Sequence, residues 1–154
     1  MSRMTGKPHS NSLRRGRSSQ SGQIYHVTSA TFHRKKLFTD IYLGRCFVKA
    51  LIKEARSADT LAFVLMPDHF HWLVQLNKNT NLSSSVARVK SVSARLINQH
   101  LDRKGSVWQS GYYDHAIRKE EDVVHVARYI VANPLRAGLV RSLNDYSLWD
   151  AVWL

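Results

Sequence analysis

The sequence has little of what cross-linked, membrane-spanning or nucleotide-binding proteins need. Its single cysteine, Cys46, excludes a disulfide framework and a cysteine-based zinc site, and it favours a reducing cytoplasm. No apolar run approaches the roughly 20 residues of a membrane span. The basic N-terminus lacks the apolar core of a secretory signal, and no glycine-rich phosphate loop is present. We therefore expect a cytoplasmic protein with no membrane partner and no nucleotide cofactor.

Acidic residues are scarce as well, because 11 Asp and Glu stand against 23 Lys and Arg, a formal net charge of +12. Residues 1–36 contain no acid. A chain this basic favours a polyanionic partner, above all nucleic acid. Residues 1–22 are rich in Ser, Gly and Arg, which predicts a flexible basic arm joined to a single domain over residues 23–154. The alternative is a solvated tail without function.

The remaining residues carry enough apolar side chains for a core, 44% of the chain. Their spacing predicts strand, helix, strand, strand, helix, strand and helix in that order. This order matches an α+β, ferredoxin-like antiparallel sheet with helices on one face and an additional C-terminal helix. The predicted strands cover residues 23–32, 61–66, 69–76 and 107–117. The predicted helices run from Thr39 or Asp40 to about 57, from 83–85 to about 105, and from 120 to 133.

His69 and His71 are the first candidate for chemistry. Residues two apart in a strand point to the same face, so the two imidazoles would lie side by side with Phe70 behind them. Two such histidines can hold one divalent metal ion if a third ligand arrives from elsewhere. The alternative interpretation is plain polar surface on an exposed sheet face.

Tyr129 and Asn133 are the second candidate, since positions i and i+4 of a helix share a face. A phenol can act as a covalent nucleophile once it is deprotonated, and an amide oxygen is an acceptable ligand for a hard metal ion. The alternatives are a packing tyrosine and an Asn-Pro pair that simply ends the helix.

Basic and aromatic residues are the third signal. Arg88 and Arg95 fall along one stripe of the second helix, where they could follow a phosphate backbone. Trp108 lies in the following strand, where it could stack on an unpaired base. The alternative is a solvated helix face with aromatic residues in the core. The segment His26-Val27-Thr28 has the His-x-Thr form of one class of phosphoesterases, but that class needs a second copy, so we interpret it as a pair of strand residues.

Four stretches, taken in order, resemble the REP-associated tyrosine transposases, a branch of the single-tyrosine HUH transposases. The resemblance covers about residues 23–150. The matching stretches are residues 25–28 (YHVT), 66–74 (MPDHFHWLV), 107–115 (VWQSGYYDH) and 129–140 (YIVANPLRAGLV).

The resemblance implies a role for each matched residue. His69 and His71 match the two histidines that bind a divalent metal, Mg²⁺ or Mn²⁺. Tyr129, on the additional helix, matches the nucleophile that attacks a DNA phosphate. Asn133 stands where relatives carry an amide, often Gln, that completes the metal site. Because Asn is one methylene shorter, its direct ligation is in doubt.

The resemblance also implies a function. The chain is expected to cleave single-stranded or hairpin DNA at or near repetitive extragenic palindromes (REP) through a 5′-phosphotyrosine, and to rejoin strands. It would act in a prokaryotic cytoplasm, associated with the nucleoid, as a monomer or a homodimer. The residues expected to contact DNA are Arg14, Arg15, Arg17, Arg88, Arg95, Trp108 and Arg118.

Two other function classes stay open on the residues alone. A ferredoxin-like sheet can bind single strands by stacking without catalysis. A metal-dependent phosphodiesterase could use water in place of Tyr129 and would form no covalent adduct. Metal-dependent strand cleavage would distinguish a transposase from the non-catalytic binding module. A covalent tyrosine adduct would distinguish it from the phosphodiesterase.

Overall fold

The computed structural model describes residues 22–151, and their secondary structure follows the predicted order. The first seven main elements are strand, helix, strand, strand, helix, strand and helix. A short helix and a short strand follow them. In chain order the elements are β1 Ile24–Ala30, α1 Ile41–Glu54, β2 Ala58–Met66, β3 His69–Leu76, α2 Leu82–Leu101, β4 Tyr113–Ile117, α3 Glu120–Val131, α4 Asn133–Arg136 and β5 Trp149–Ala151.

The strands form one sheet in the order β4-β1-β3-β2-β5, and every neighbouring pair is antiparallel. β2 and β3 form the hairpin that the Pro67-Asp68 interruption predicts, with Met66 paired to His69 across the turn. β1 lies along the other side of β3. The first four strands have the ferredoxin-like order, so the predicted α+β fold is confirmed, and β5 extends the sheet at the β2 edge.

Alternation along the central strands divides the core between the two faces of the sheet. Phe70 and Trp72 of β3 are fully buried on the face that α1 and α2 cover, where Phe47 of α1 packs 4.9 Å from the Phe70 ring. Leu73 of β3 points to the opposite face and is buried there with Ile130 of α3. The helices therefore lie on both faces, with the predicted pair on one and the additional helix on the other.

Local capping explains where the helices begin. The Asp40 side chain accepts a hydrogen bond from the amide of Tyr42 at 2.9 Å, and the Asn81 side chain accepts one from the amide of Ser84 at 2.9 Å. Asn81, rather than a residue of 83–85, is therefore the cap of α2. Three acids, Glu120 to Asp122, occupy the first turn of α3, where negative charge is favourable.

The structure corrects two predicted segments and adds a short strand at the end of the described residues. β4 begins at Tyr113 and not near residue 107, because the chain before it forms only an isolated bridge between Thr31 and Trp108. α3 ends at Val131, and a separate turn α4 begins at Asn133 with Pro134 in its first turn, as suits a residue without an amide hydrogen. The aromatic tail forms β5 against β2. None of the helices within residues 22–151 combines the length and apolar character that crossing a membrane requires.

An ion pair joins the two helices that lie on the same face. Glu54 of α1 is 5% exposed, and its carboxylate accepts two hydrogen bonds from Arg88 at 2.8 and 2.7 Å and one from Ser85 at 2.8 Å. This pairing raises the pKa of the Arg88 guanidinium. Arg88 therefore neutralises a buried carboxylate, although its own side chain is exposed, as is that of Arg95 on the same helix.

We expect Arg88→Ala to lower the free energy of unfolding by about 1–3 kcal/mol, because it leaves the buried Glu54 carboxylate without its charged partner. Urea denaturation at pH 7 measures the change. Arg95→Ala is the matched control and should stay within about 0.5 kcal/mol of the parent protein. Equal stability of the two variants would contradict this structural role for Arg88.

Candidate active site

The site begins with the first residues of β3. His69 and His71 lie on the same face, and Phe70 is buried on the other, as the period of a strand requires. Their rings are 5.1 Å apart between centroids and nearly perpendicular. The predicted juxtaposition of the two imidazoles is therefore confirmed.

Each of the two rings is anchored through Nδ1. His69 Nδ1 lies 2.8 Å from Oδ1 of Asp68, whose other oxygen lies 3.2 Å from Nε of Arg34. His71 Nδ1 lies 2.9 Å from Nε2 of His26 and 3.1 Å from the hydroxyl of Thr28. Within residues 22–151 neither Nε2 takes part in a hydrogen bond. The two Nε2 atoms are therefore the nitrogens available to a ligand.

Burial keeps these histidines neutral. It lowers the pKa of His71 well below its usual range and, with a contribution from His115, lowers the pKa of His26 to about 4. Burial also lowers the pKa of His69, against the opposing effect of the Asp68 carboxylate. A neutral imidazole retains one lone pair, which is the form that ligates a metal ion at neutral pH.

Tyr129 lies in the last turn of α3 and is half-buried. The guanidinium of Arg136 in α4 stacks over its ring, 3.7 Å from the centroid, and Arg136 Nη2 donates to the Tyr129 carbonyl at 2.6 Å. The same guanidinium contributes to lowering the pKa of His71. Arg136 therefore contacts the tyrosine and also acts electrostatically on His71.

Asn133 begins α4, immediately after the tyrosine helix ends. Its amide nitrogen donates to the carbonyl of Ile130 at 2.9 Å, with the carbonyl of Tyr129 at 3.5 Å. This anchors the side chain to the end of α3. No hydrogen bond from a residue of the described range reaches its Oδ1, which is the atom that a metal ion would need.

No group of three or more His, Cys, Asp or Glu residues between positions 22 and 151 is arranged to hold a metal ion. The histidine pair therefore needs a ligand of another type, and the predicted third ligand, Asn133, is an amide.

The predicted DNA contacts have different outcomes. Trp108 is 7% exposed, its ring is stacked on Phe38 at 5.4 Å, and its indole NH donates to the hydroxyl of Ser93. Core residues therefore cover the Trp108 ring, which leaves little of it for the predicted stacking on a base. Arg95 and Arg118 are exposed. Arg88 is paired with Glu54. The other three residues, Arg14, Arg15 and Arg17, lie outside the described residues.

Two other tyrosines, Tyr112 and Tyr113, carry the same phenol group as Tyr129 and are alternative candidates for the nucleophile. Tyr112 is buried, and its hydroxyl lies 3.2 Å from the Ser83 hydroxyl. Tyr113 is half-buried in β4 and pairs with Thr28, which pairs in turn with His71. Tyr113 therefore lies on the sheet face of the histidine pair and is the natural control for Tyr129.

Sequence reasoning missed three residues that the structure brings to the site: His26, Thr28 and Arg136. The first two carry the His-x-Thr pattern, whose strand spacing places both side chains on one face. Arg136 could have been found from its position, two helical turns after Tyr129. Pro134 lies between them and predicts the end of the helix, so the two residues were not placed on one face.

Comparisons with known proteins assign this arrangement to a family. Residues 19–133 match the model of the family described as "Transposase IS200 like". The chain belongs to the IS200-like transposase family. It is therefore a transposase-type enzyme of DNA cleavage and strand transfer, as the sequence predicts.

Individual relatives agree with this assignment. This transposase is 28% identical over 137 residues to a REP-associated tyrosine transposase of Haemophilus influenzae, covering 81% of this chain and 77% of the relative. It is 27% identical over 127 residues to a REP-associated tyrosine transposase of Escherichia coli, covering 81% and 73%.

Two solved structures share the fold. The first is a REP-associated tyrosine transposase bound to a REP hairpin, with a TM-score of 0.69 and 24% identity over 97% of this chain and 82% of that one. The second is a transposase of Deinococcus radiodurans, with a TM-score of 0.53 and 22% identity over 75% and 93%.

The neutral histidines predict a pH-dependent stability for this transposase. Since the pKa of His26 falls from 6.5 to about 4 on folding, the unfolded chain binds protons more readily between these values. The contribution of neutral His26 to the free energy of unfolding is therefore fully present above pH 6.5. It is lost as the pH falls towards 4, which lowers the free energy of unfolding by about 3 kcal/mol.

Urea denaturation across this pH range tests the effect. His26→Phe should show a shallower loss of stability with acid than the parent protein. His125→Ala, at an exposed position of α3, should keep the full slope. An unchanged slope in His26→Phe would show that His26 does not contribute.

Proposed function

We propose that this transposase is a metal-dependent endonuclease and strand transferase for single-stranded DNA, with Tyr129 as its nucleophile and REP hairpins as its substrates. The observation that carries the proposal is the pair of neutral imidazoles, His69 and His71. Both are anchored through Nδ1 and coupled through Arg136 to the tyrosine.

The residues present fit a divalent metal ion. His69 and His71 would hold it through Nε2, and their Nδ1 atoms have the hydrogen-bond partners that ligating histidines usually have. Asn133 would add its Oδ1 directly or through a water molecule. Imidazole with amide oxygen suits Mg²⁺ or Mn²⁺. When bound, such an ion withdraws charge from a non-bridging phosphate oxygen of the substrate.

The residues of the chain supply the other parts of the reaction. The Tyr129 phenol loses its proton and its oxygen attacks the phosphorus, forming a phosphotyrosine ester with the 5′ side of the strand. The bond to the 3′ oxygen breaks, and that oxygen leaves as a hydroxyl once it gains a proton. The new ester conserves the energy of the broken one, so a second 3′-hydroxyl can reverse the step and join strands.

Arg136 supports the tyrosine in this reaction. Its guanidinium covers one face of the Tyr129 ring and is bonded to the backbone of the same residue, which restricts the ring to few orientations. It also adds a positive charge to the site that the phosphate must enter.

Charge and relatives support hairpin DNA as the substrate. A related transposase of the same fold is bound to a REP hairpin. In this chain, exposed Arg95 and Arg118 and the basic arm, with Arg14, Arg15 and Arg17, would bind phosphates of the hairpin and of its flanking strand. We accordingly place the protein with DNA in a prokaryotic cytoplasm, as a monomer or a homodimer.

A covalent-trapping assay tests the nucleophile. Labelled single-stranded DNA containing a hairpin is mixed with the protein and Mn²⁺ or Mg²⁺ and analysed on a denaturing gel. We expect a slow-migrating protein–DNA adduct that is lost in Tyr129→Phe and in His69→Ala, with a fall in cleavage of at least about 100-fold. Tyr113→Phe is the control, because Tyr113 lies on the same sheet face and should leave the adduct intact.

The other outcomes discriminate between functions. Cleavage that survives in Tyr129→Phe without an adduct would indicate water as the nucleophile. An adduct lost only in Tyr113→Phe would move the nucleophile to β4. Tight binding of several hairpins without cleavage under either metal would indicate a binding module in place of an enzyme.

The arm has its own test. Deleting residues 1–19 removes five basic residues, and we expect weaker hairpin binding with a flatter dependence of log Kd on log salt. Each lost phosphate contact should reduce the slope by about 0.7–0.9. Fluorescence anisotropy between 50 and 200 mM salt measures it. The same slope in the truncated and full-length proteins would mean that the arm does not contact the DNA.

A further inference from the structure

His26 and Thr28 form a layer directly behind the histidine pair. Both lie on β1, next to β3, and both point to the sheet face of His71. His26 is 0% exposed, and its ring lies 5.2 Å from that of His71 between centroids. A side chain so enclosed contacts neither solvent nor substrate, so its effect on chemistry has to pass through His71.

The contact between the two rings holds a single hydrogen. His26 Nε2 and His71 Nδ1 are 2.9 Å apart, so one of them donates and the other accepts. If His71 donates, its own Nε2 keeps a lone pair and can bind a metal ion. If His26 donates, the proton of neutral His71 is on Nε2, and that atom cannot be a ligand. The direction of this hydrogen bond therefore decides whether His71 can bind a metal ion through Nε2. We call the direction in which His71 donates the competent direction.

The surroundings of His71 allow the competent direction. The Thr28 hydroxyl lies 3.1 Å from the same Nδ1 and can offer a second acceptor oxygen for the Nδ1 hydrogen. His26 Nδ1 is buried and has no hydrogen-bond partner in the described part of the chain, so His26 is tied to the site only through Nε2. In the competent direction this Nδ1 carries the His26 hydrogen without an acceptor, which is costly, and a necessary acceptor role of Nε2 would explain that cost.

We propose that His26 is a positioning residue that, with Thr28, accepts the Nδ1 hydrogen of His71 and so presents His71 Nε2 as a bare nitrogen to the metal ion. This inference rests on the metal site proposed above. It gives the His-x-Thr segment a role that differs from catalysis, since neither residue touches the substrate. Ligating histidines commonly have such a partner on the second nitrogen, and its loss typically weakens metal binding 10- to 100-fold.

Two substitutions at one position separate the hydrogen bond from packing. His26→Phe fills the buried space with a ring but offers no acceptor. His26→Gln keeps an oxygen that can accept from His71 Nδ1. His115→Phe is the matched control, because His115 pairs with His26 across β1 and β4 but is exposed. Circular dichroism confirms that each variant is folded.

The first measurement is the Kd for Mn²⁺ without DNA, from the electron paramagnetic resonance signal of unbound Mn²⁺. We expect His26→Phe to bind Mn²⁺ at least about 10-fold more weakly, and His26→Gln and His115→Phe to remain within about threefold of the parent protein. Equal affinity of His26→Phe and the parent protein would overturn the proposal, as would a loss of affinity in His26→Gln as large as that in His26→Phe.

The second measurement reads the hydrogen position directly. Long-range ¹H–¹⁵N spectra of protein labelled with ¹⁵N-histidine, recorded with Mg²⁺, distinguish a ring protonated at Nδ1 from one protonated at Nε2. We expect the parent protein to show His71 protonated at Nδ1, and His26→Phe to show a population protonated at Nε2. A parent protein with the His71 proton on Nε2 would overturn the proposal, even if His26→Phe failed to fold.

These readouts are independent of cleavage, so the two proposals fail in different ways. An adduct at Tyr129 together with an unchanged Mn²⁺ affinity in His26→Phe would reject the role of His26 and leave the nuclease proposal intact. A parent protein that binds no Mn²⁺, with or without hairpin DNA, would reject both.

Discussion

The pairing of β1 with β3 is the constraint on which the rest of the molecule depends. It places Thr28 opposite His71 and, on the other face, Val27 opposite Trp72 in the core. A slip of one residue would turn every β1 side chain to the wrong face. It would bring Val27, which is 0% exposed, out of the core and remove both hydrogen-bond partners of His71 Nδ1. One register therefore specifies the core and the site together.

The two faces of the sheet differ because of the length of the helices that cover them. α1 and α2 have 14 and 20 residues and bury their face, whereas α3 has 12 and packs on the other. α3 buries Leu73 of β3, but His69, at the start of the strand, stays half-buried. A bulky, charged DNA strand needs a face that is only partly covered. Tyr129 lies in the last turn of α3, the helix on this face.

Sequence alone predicted those features of the fold and the site that depend on local geometry. The period of a strand is enough to place His69 beside His71, and the order of the elements was enough for the sheet. Burial of Trp108 and pairing of Arg88 with Glu54 were not predictable, because both depend on which side of a helix or loop meets the core. The contact of His26 with His71 was missed for the same reason, since the two residues are 45 positions apart along the chain. Interactions between distant residues appear only once the register is known.

The two histidines have Nδ1 partners of different charge, and burial explains the difference. His69 lies towards solvent and pairs with the Asp68 carboxylate, whose charge Arg34 also balances. His71 is 8% exposed, and a carboxylate beside it would be a buried charge, which costs far more than a neutral acceptor. A neutral imidazole can anchor His71 without that cost. It also adds no negative charge beside His71. A neutral partner at position 26 thus agrees with the proposed binding of a negatively charged DNA phosphate at this site.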